Sequence, residues 1–163
     1  SSNNRIRKIS FTTSVITHVT GSESGTAGDW ASLPSPYFSN PLGVAVDADN
    51  NVFIADTGNN MIRRFNGGGF PSAYVNSGGQ RTCHDSTPDC QDLKEGGSAL
   101  AATLDGPNEI ALDAEGNLFI ADTYNAAIRM VNQNDEINNV VLNTASFSIG
   151  LEAPGVIIAS DLY

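Results

Sequence analysis

The chain has 163 residues, and 40% of them are apolar, which is enough for the core of one domain or of part of a larger one. Eight basic against eighteen acidic residues give a net charge of −10, which argues against binding to a nucleic-acid backbone or to an anionic membrane surface. No apolar run approaches the roughly 20 residues that cross a bilayer, so membrane insertion is not expected either.

Two strands and a long loop are predicted in the first 41 residues. The segment "NNRIRKI" (3–9) predicts one strand, and "SVITHVTG" (14–21) predicts another, which we expect to be an inner strand carrying His18. Exposed aromatic residues on long loops suit recognition, and the loop "GDWASLPSPYFSNP" (28–41) offers three as a candidate binding surface: Trp30, Tyr37 and Phe38. The alternative is that these aromatic residues cover a gap between neighbouring sheets.

A repeat occupies the middle of the chain. Residues 41–65 ("PLGVAVDADNNVFIADTGNNMIRRF") and 107–131 ("PNEIALDAEGNLFIADTYNAAIRMV") are identical at thirteen of 25 positions. Each copy predicts three short strands joined by tight turns, and the second strand is apolar enough to be buried on both faces. The segment "PGVIIASDLY" (154–163) resembles a shortened "PLGVAVDADNNVF" (41–53), with Pro154 at its start and Leu162 and Tyr163 at the positions of Val52 and Phe53. We predict that a fourth strand precedes each set, in 14–21, 72–79 and 136–143.

The two cysteines lie in one loop. Cys83 and Cys90 are separated by six residues, including Pro88, and this spacing predicts a small loop closed by a disulfide. The alternative is two free thiols; zinc would need two more soft ligands, and only His84 is near. Because such a disulfide persists outside the reducing cytosol, we expect an extracellular or secreted protein.

Each repeat ends its second strand with an aspartate, which is followed by an asparagine and by an arginine on the next strand. A carboxylate at this position can accept turn N–H groups and pair with the arginine. The same set recurs in both copies, whereas a catalytic set would not, so we expect a structural role for all six residues and assign no catalytic residue: Asp56, Asn59, Arg63, Asp122, Asn125 and Arg129.

One turn is similar to the start of a calcium loop. The segment "DADNN" (47–51) begins like such a loop but lacks its glycine and its bidentate glutamate, and the second copy has "DAEGN" instead. We therefore predict turn chemistry, with no metal and no cofactor. Calcium at this acidic surface is the alternative.

The repeat resembles the NHL repeat. The pattern D-x-x-G-N-[apolar]-[aromatic]-[apolar]-A-D-x-x-N-x-x-I-R matches the second copy from Asp113 to Arg129 and the first from Asp47 to Arg63, with Asn50 in the usual glycine position. The resemblance implies an all-β fold of β-propeller blades, each with four antiparallel strands. The chain has sequence for about three blades, and ring closure is left open.

The resemblance divides one NHL-repeat region, 1–163, into four parts. These are an outer strand of a preceding blade (1–10), a blade (14–66), a blade with the disulfide loop inserted at 80–106 (72–132), and an incomplete blade (136–163). A propeller needs four to eight blades, and a repeat does not bury its faces alone, so three blades leave apolar faces to be covered.

We expect a non-enzymatic extracellular interaction or scaffold module. It would complete its blades with further chain or with other copies of itself, or bind a protein partner through exposed blade edges. One alternative is a structural subunit that assembles head to tail into an extracellular filament. A second is a metal-dependent lyase or lactonase, because enzymes of both kinds resemble this fold.

Overall fold

A computed structural model describes residues 4–10, 12–20, 38–66, 71–76, 96–142, 147–153 and 156–161. Within these ranges the fold is all-β, as predicted, with antiparallel sheets and three short 3-10 turns. No helix there is long and apolar enough to cross a membrane. The strands are β1 (Ile6–Ile9), β2 (Ile16–Thr20), β3 (Val44–Val46), β4 (Val52–Asp56), β5 (Met61–Phe65), β6 (Ser72–Val75), β7 (Gly97–Ser98), β8 (Pro107–Leu112), β9 (Leu118–Asp122), β10 (Ala127–Val131), β11 (Glu136–Leu142), β12 (Phe147–Ala153) and β13 (Val156–Asp161).

Two four-stranded blades form the centre of the described chain. Blade I has the strand order β3-β4-β5-β6, and blade II has the order β8-β9-β10-β11, with the two-residue β7 added beside β11. The first turn of each blade closes on an aspartate: Asp47 Oδ1 accepts the N–H of Asn51 at 2.8 Å, and Asp113 Oδ1 accepts that of Asn117 at 2.8 Å. These side-chain bonds fix the hairpin between the first and second strands.

The outer strand of each blade differs from the prediction. Segments 72–79 and 136–143 were expected to precede the next set of strands, but β6 pairs with β5 and β11 pairs with β10, so each follows its own set. The connections are short, and a short connection returns the chain beside the strand it has just left. For the same reason β2 pairs with β1, and His18 lies exposed on this outer pair instead of on an inner strand.

The main core lies between the two blades. Phe53, Ala55, Ile62 and Val75 of blade I face a set of apolar residues in blade II, and three residues of the connecting segment fill the space between them. The residues of blade II are Ile110, Leu118, Ile120, Val131 and Ile137, and those of the connection are Ala99, Ala102 and Leu104. Burial of this apolar area is the main favourable contribution to stacking one blade on the next.

Two further strand pairs flank the blades. The pair β1–β2 precedes blade I, and the pair β12–β13 follows blade II, with β12 alongside β8 and β9. The repeat pattern did not predict β12, whose sequence is "FSIGLEA". Because β12 precedes β13 and pairs with it, β13 is the second strand of this pair and not the first. Pro154, Leu162 and Tyr163 lie outside the described residues.

Candidate functional site

The buried polar residues of blade II form one cluster around Asp122. The second carboxylate oxygen of Asp122 accepts hydrogen bonds from Asn125 Nδ2 at 2.8 Å and from Arg129 at 3.3 Å, and Oδ1 accepts the N–H of Asp105 at 2.7 Å. Asp122 and Arg129 are completely buried. Asp122 thus links its own turn, the next strand and the segment that enters the blade.

Blade I has the same cluster. Asp56 accepts hydrogen bonds from Asn59 Nδ2 at 2.8 Å, from Arg63 Nε at 2.6 Å and from the N–H of Ser39 at 2.7 Å. Ser39 precedes the first strand of blade I as Asp105 precedes that of blade II. All six residues of the predicted repeat constellation are therefore brought together, three in each blade.

Burial dominates the electrostatics of both aspartates. Desolvation raises the pKa of Asp122 to about 6, and the bonds from Asn125, the Asp105 N–H and Arg129 oppose this rise. Desolvation also raises the pKa of Asp56 above its ordinary value, against the attraction of Arg63. Both carboxyl groups are completely buried inside their blades, each held by a turn, a strand and the entry segment of its blade.

The predicted recognition surface is wrong at Phe38. This ring is completely buried, and the guanidinium of Arg63 lies 5.3 Å from its centroid. Phe38 occupies the repeat position of Leu104, which is a core residue of the blade interface, so the apolar side chain is used for packing and for a cation–π contact. The other predicted residues, Trp30, Tyr37, Cys83 and Cys90, lie outside the described residues.

Two polar links between blades were missed in the sequence. Asn60 Oδ1 accepts the N–H of Gly106 at 2.8 Å, and Thr57 Oγ1 donates to the carbonyl of Pro107 at 2.7 Å. Asn60 has a φ of 56°, a left-handed conformation that asparagine tolerates better than most residues. The sequence signal for these links is the second asparagine of "TGNN" (57–60), which the second copy replaces with alanine in "TYNA" (123–126).

An apolar surface lies on the side of blade I that faces away from blade II. It consists of Leu42, Val44 and Val46, which are 52%, 47% and 54% exposed, and we call it the open face. Ile110, the repeat equivalent of Val44 in blade II, is only 7% exposed because β3 and β4 lie against β8. The open face therefore has the composition of a blade interface, yet its side chains are about half exposed in the part of the chain that the structure describes.

A groove of about 490 Å³ runs between the first turns of the two blades. Its lining includes Asp47, Asp49, Asp113, Glu115 and Gln133. Asp47 and Asp113 use their carboxylates to close their own turns. Within the described ranges, no three His, Cys, Asp or Glu residues are placed to hold a metal ion together.

The NHL repeat family matches residues 38–65, which include most of blade I. A search of curated proteins found no matching sequence.

Similar solved structures include a protein of unknown function from Bacteroides thetaiotaomicron (19% identity, TM-score 0.61), a streptogramin B lyase (16%, 0.56) and a gluconolactonase-like protein (11%, 0.62). The matches cover 89%, 90% and 97% of this chain but only 33%, 38% and 48% of those chains. The chain thus spans between a third and a half of their length, and at these identities the similarity concerns the fold alone. These neighbours are propeller-type proteins, so the chain carries an NHL repeat in a stack of β-propeller blades.

Proposed function

We propose that this chain is a non-enzymatic extracellular NHL-repeat interaction module, which binds a protein partner or other copies of itself through exposed blade faces. The observation that carries the proposal is the open face: three apolar side chains stand about half exposed on a strand whose repeat equivalent forms a blade interface. Contiguous exposed apolar surface of this kind marks protein interaction sites.

The non-enzymatic part of the proposal rests on the use of the buried carboxylates. Asp56 and Asp122 have the same partners in two successive blades, and each ties a turn to a strand and to the entry segment. Because the same buried contacts recur in each blade, they favour a structural role for these carboxylates over a catalytic one. The alternative, a metal-dependent lyase or lactonase, has the fold similarity in its favour.

The extracellular part rests on the predicted disulfide between Cys83 and Cys90. Titration of free thiols in the unfolded, unreduced chain is expected to find none. Two titratable thiols would contradict the disulfide and remove the support for this location.

Sedimentation velocity over a range of concentrations tests the binding surface. We expect association of the chain, and we expect it to be lost when Val44 and Val46 are both changed to glutamate, since two charges on the open face oppose its burial. The matched control is Val140→Glu, because Val140 is also half exposed but lies on the outer strand β11. Association that survives the double change, or that is lost equally in the control, contradicts the proposal.

Activity assays test the other half of the proposal. Purified chain supplied with Ca²⁺, Mg²⁺ or Zn²⁺ is expected to turn over neither lactones nor streptogramin-type lyase substrates. Metal-dependent turnover would overturn the non-enzymatic assignment.

A filament is the second candidate, and one observation favours it. The strand pairs that flank the two blades are different, so a contact between them is heterologous and can propagate instead of closing. Electron micrographs separate the candidates: long filaments support the structural subunit, and discrete particles support the module.

A further inference from the structure

We propose that residues 103–107, which lead into β8 of blade II, form a proton-controlled clasp between the two blades. The clasp holds both blades while the Asp122 carboxyl group is ionised, and it loosens when that group takes up a proton. Its Leu104 is completely buried in the core between the blades. The inference goes beyond the proposed function, because the clasp lies between blades I and II and does not involve the open face.

Three hydrogen bonds attach the clasp to blade II. Asp122 Oδ1 accepts the N–H of Asp105 at 2.7 Å, and the carbonyl of Asp105 accepts the N–H of Tyr124 at 3.0 Å. Arg129 Nη1 donates to the carbonyl of Thr103 at 3.3 Å. Hydrogen bonds to an ionised group are about twice as strong as neutral ones. The Asp122 bond is also the shortest of the three, so it contributes most to this attachment.

The other side of the clasp is attached to blade I. The N–H of Gly106 donates to Asn60 Oδ1 at 2.8 Å, and the carbonyl of Pro107 accepts a hydrogen bond from Thr57 Oγ1 at 2.7 Å. Asp105 and Gly106 are consecutive, yet their N–H groups bond to different blades. A change at the blade II bond is therefore transmitted directly to the contact with blade I.

The hydrogen bonds of Asp122 determine which oxygen takes the proton. In the described part of the chain, Oδ2 accepts two hydrogen bonds, from Asn125 at 2.8 Å and from Arg129 at 3.3 Å, whereas Oδ1 accepts one. The proton therefore adds to Oδ1, which has fewer donors around it. A protonated oxygen has less acceptor capacity, so the bond to the Asp105 N–H is the one that protonation weakens.

The carboxyl group of blade II is the one that protonates more readily. Burial raises the pKa of Asp122 to about 6. Its cation is also more distant: Arg129 Nη1 lies 3.3 Å from Asp122 Oδ2, whereas Arg63 Nε lies 2.6 Å from Asp56 Oδ2 in blade I. Because a closer cation favours the ionised form more, we expect the clasp to respond at a higher pH than its counterpart in blade I.

Other ionisable residues surround Asp122 within the described ranges. Arg129 on β10 is its ion-pair partner, and Asp105 is 4% exposed within the clasp. The adjoining strand β8 contributes Glu109, and the turn 123–125 contributes Tyr124. Asp105 is thus a second buried carboxyl group, and a test of the clasp has to separate its titration from that of Asp122.

The clasp and the global stability respond to the proton with opposite signs. Burial makes the folded chain bind the Asp122 proton more tightly than the unfolded chain, so protonation raises the free energy of unfolding. In the same step the clasp loses a charge-assisted hydrogen bond. Acidification should therefore loosen this segment locally while the blades stay folded.

Amide NMR of the clasp tests the inference. In the wild type, the Asp105 N–H resonance is expected to titrate with a midpoint at about pH 6. Hydrogen exchange of the Asp105 and Gly106 amides, corrected for its intrinsic dependence on pH, should be about tenfold faster below this midpoint than above it, because one charge-assisted bond is weakened. The Ser39 amide is the internal control: it bonds to Asp56 at 2.7 Å and should titrate at a lower pH.

Two variants assign the titrating group. Asp122→Asn keeps an oxygen that accepts the Asp105 N–H but cannot ionise, so exchange of the clasp amides should no longer depend on the ionisation step. Asp105→Asn keeps the N–H and removes the second buried carboxyl group, so the titration should persist. Circular dichroism verifies that each variant is folded.

Each other outcome counts against the inference. A wild-type Asp105 amide without a titration at about pH 6 would overturn it, and so would clasp amides that are equally or better protected below that pH. Loss of the titration in Asp105→Asn would assign the response to the other carboxyl group and would also overturn it. If a variant does not fold, the wild-type titration and exchange still decide. None of these results changes the association measurements on the open face, so the proposed function is tested separately.

Discussion

The two blades have nearly the same sequence but not the same environment. Val44 and Ile110 occupy one repeat position, yet Val44 is 47% exposed and Ile110 is 7% exposed. On the other side of the blades the order is reversed: Phe53 is buried against blade II, whereas its equivalent Phe119 is half buried. The neighbouring blade therefore determines how far a repeat residue is buried.

Other features do not differ between the blades. Asp56 and Asp122 have equivalent partners, and the turns after the first strands are closed by Asp47 and Asp113 in the same way. These interactions lie within one blade or at its entry. Each repeat therefore specifies the hydrogen bonds and ion pairs inside its own blade, whereas the burial of its apolar side chains needs a neighbouring blade. Stability measurements can test this distinction.

Removal of the central carboxylate should give the largest loss, and an equal one in both blades. Asp122→Ala leaves Arg129 buried without its ion-pair partner, which we expect to lower the free energy of unfolding by about 3–5 kcal/mol. Asp56→Ala should cost a similar amount. Urea denaturation measures both, with the exposed Asp49→Ala as the control, which should change stability by less than about 0.5 kcal/mol. A loss confined to one blade would mean that the cluster is not specified by the repeat.

Truncation at the shared apolar position should affect the blades unequally. Ile110→Ala removes buried methyl groups from the interface and is expected to cost about 2–4 kcal/mol. Val44→Ala removes a side chain that is about half exposed, so we expect a loss below about 1 kcal/mol in the monomeric chain. Urea denaturation at low protein concentration measures the loss in the free energy of unfolding for both variants. Equal losses would contradict the view that burial depends on the neighbouring blade.

The pH dependence of stability should have the same sign in both blades. The folded pKa of Asp122 is about 6, above its ordinary value of 3.8, so the folded chain binds the proton more tightly than the unfolded chain. This contribution is fully present below about pH 4 and is lost as the pH rises through about 6, and it amounts to about 3 kcal/mol at most. Asp122→Asn cannot titrate at this position. The free energy of unfolding of the wild type, relative to that of this variant, should therefore fall between about pH 4 and about pH 7. A rise over this range would contradict the raised pKa of Asp122.

The parts predicted from sequence are those that one repeat specifies. The three strands of each copy, the turn aspartates and the Asp56–Arg63 pair all follow from local pattern and turn chemistry. The sequence left two roles open for Phe38, recognition or covering a gap between sheets; the choice depends on packing partners that are distant in sequence, such as Arg63 above the ring. The assignment of 72–79 and 136–143 to the set of strands that follows them was wrong, because β6 and β11 pair with the strands before them and a strand's own sequence does not determine its hydrogen-bonding partner.

The smallest effects are expected at a turn position where the two repeats differ, Asn50 in the first and Gly116 in the second. Gly116 has a φ of 87° and Asn50 a φ of 64°, so both positions need a left-handed backbone. The methyl group of Gly116→Ala would make one ordinary van der Waals contact, with Gln133 Nε2 at 3.9 Å, so the variant should cost about 1 kcal/mol from backbone strain. Asn50→Gly should change stability by less than about 0.5 kcal/mol, because asparagine already tolerates this conformation. Thermal unfolding compares the two variants. Since both turns lie within single blades, a loss in the alanine variant well above about 1 kcal/mol would mean that this turn also contributes to the contact between blades.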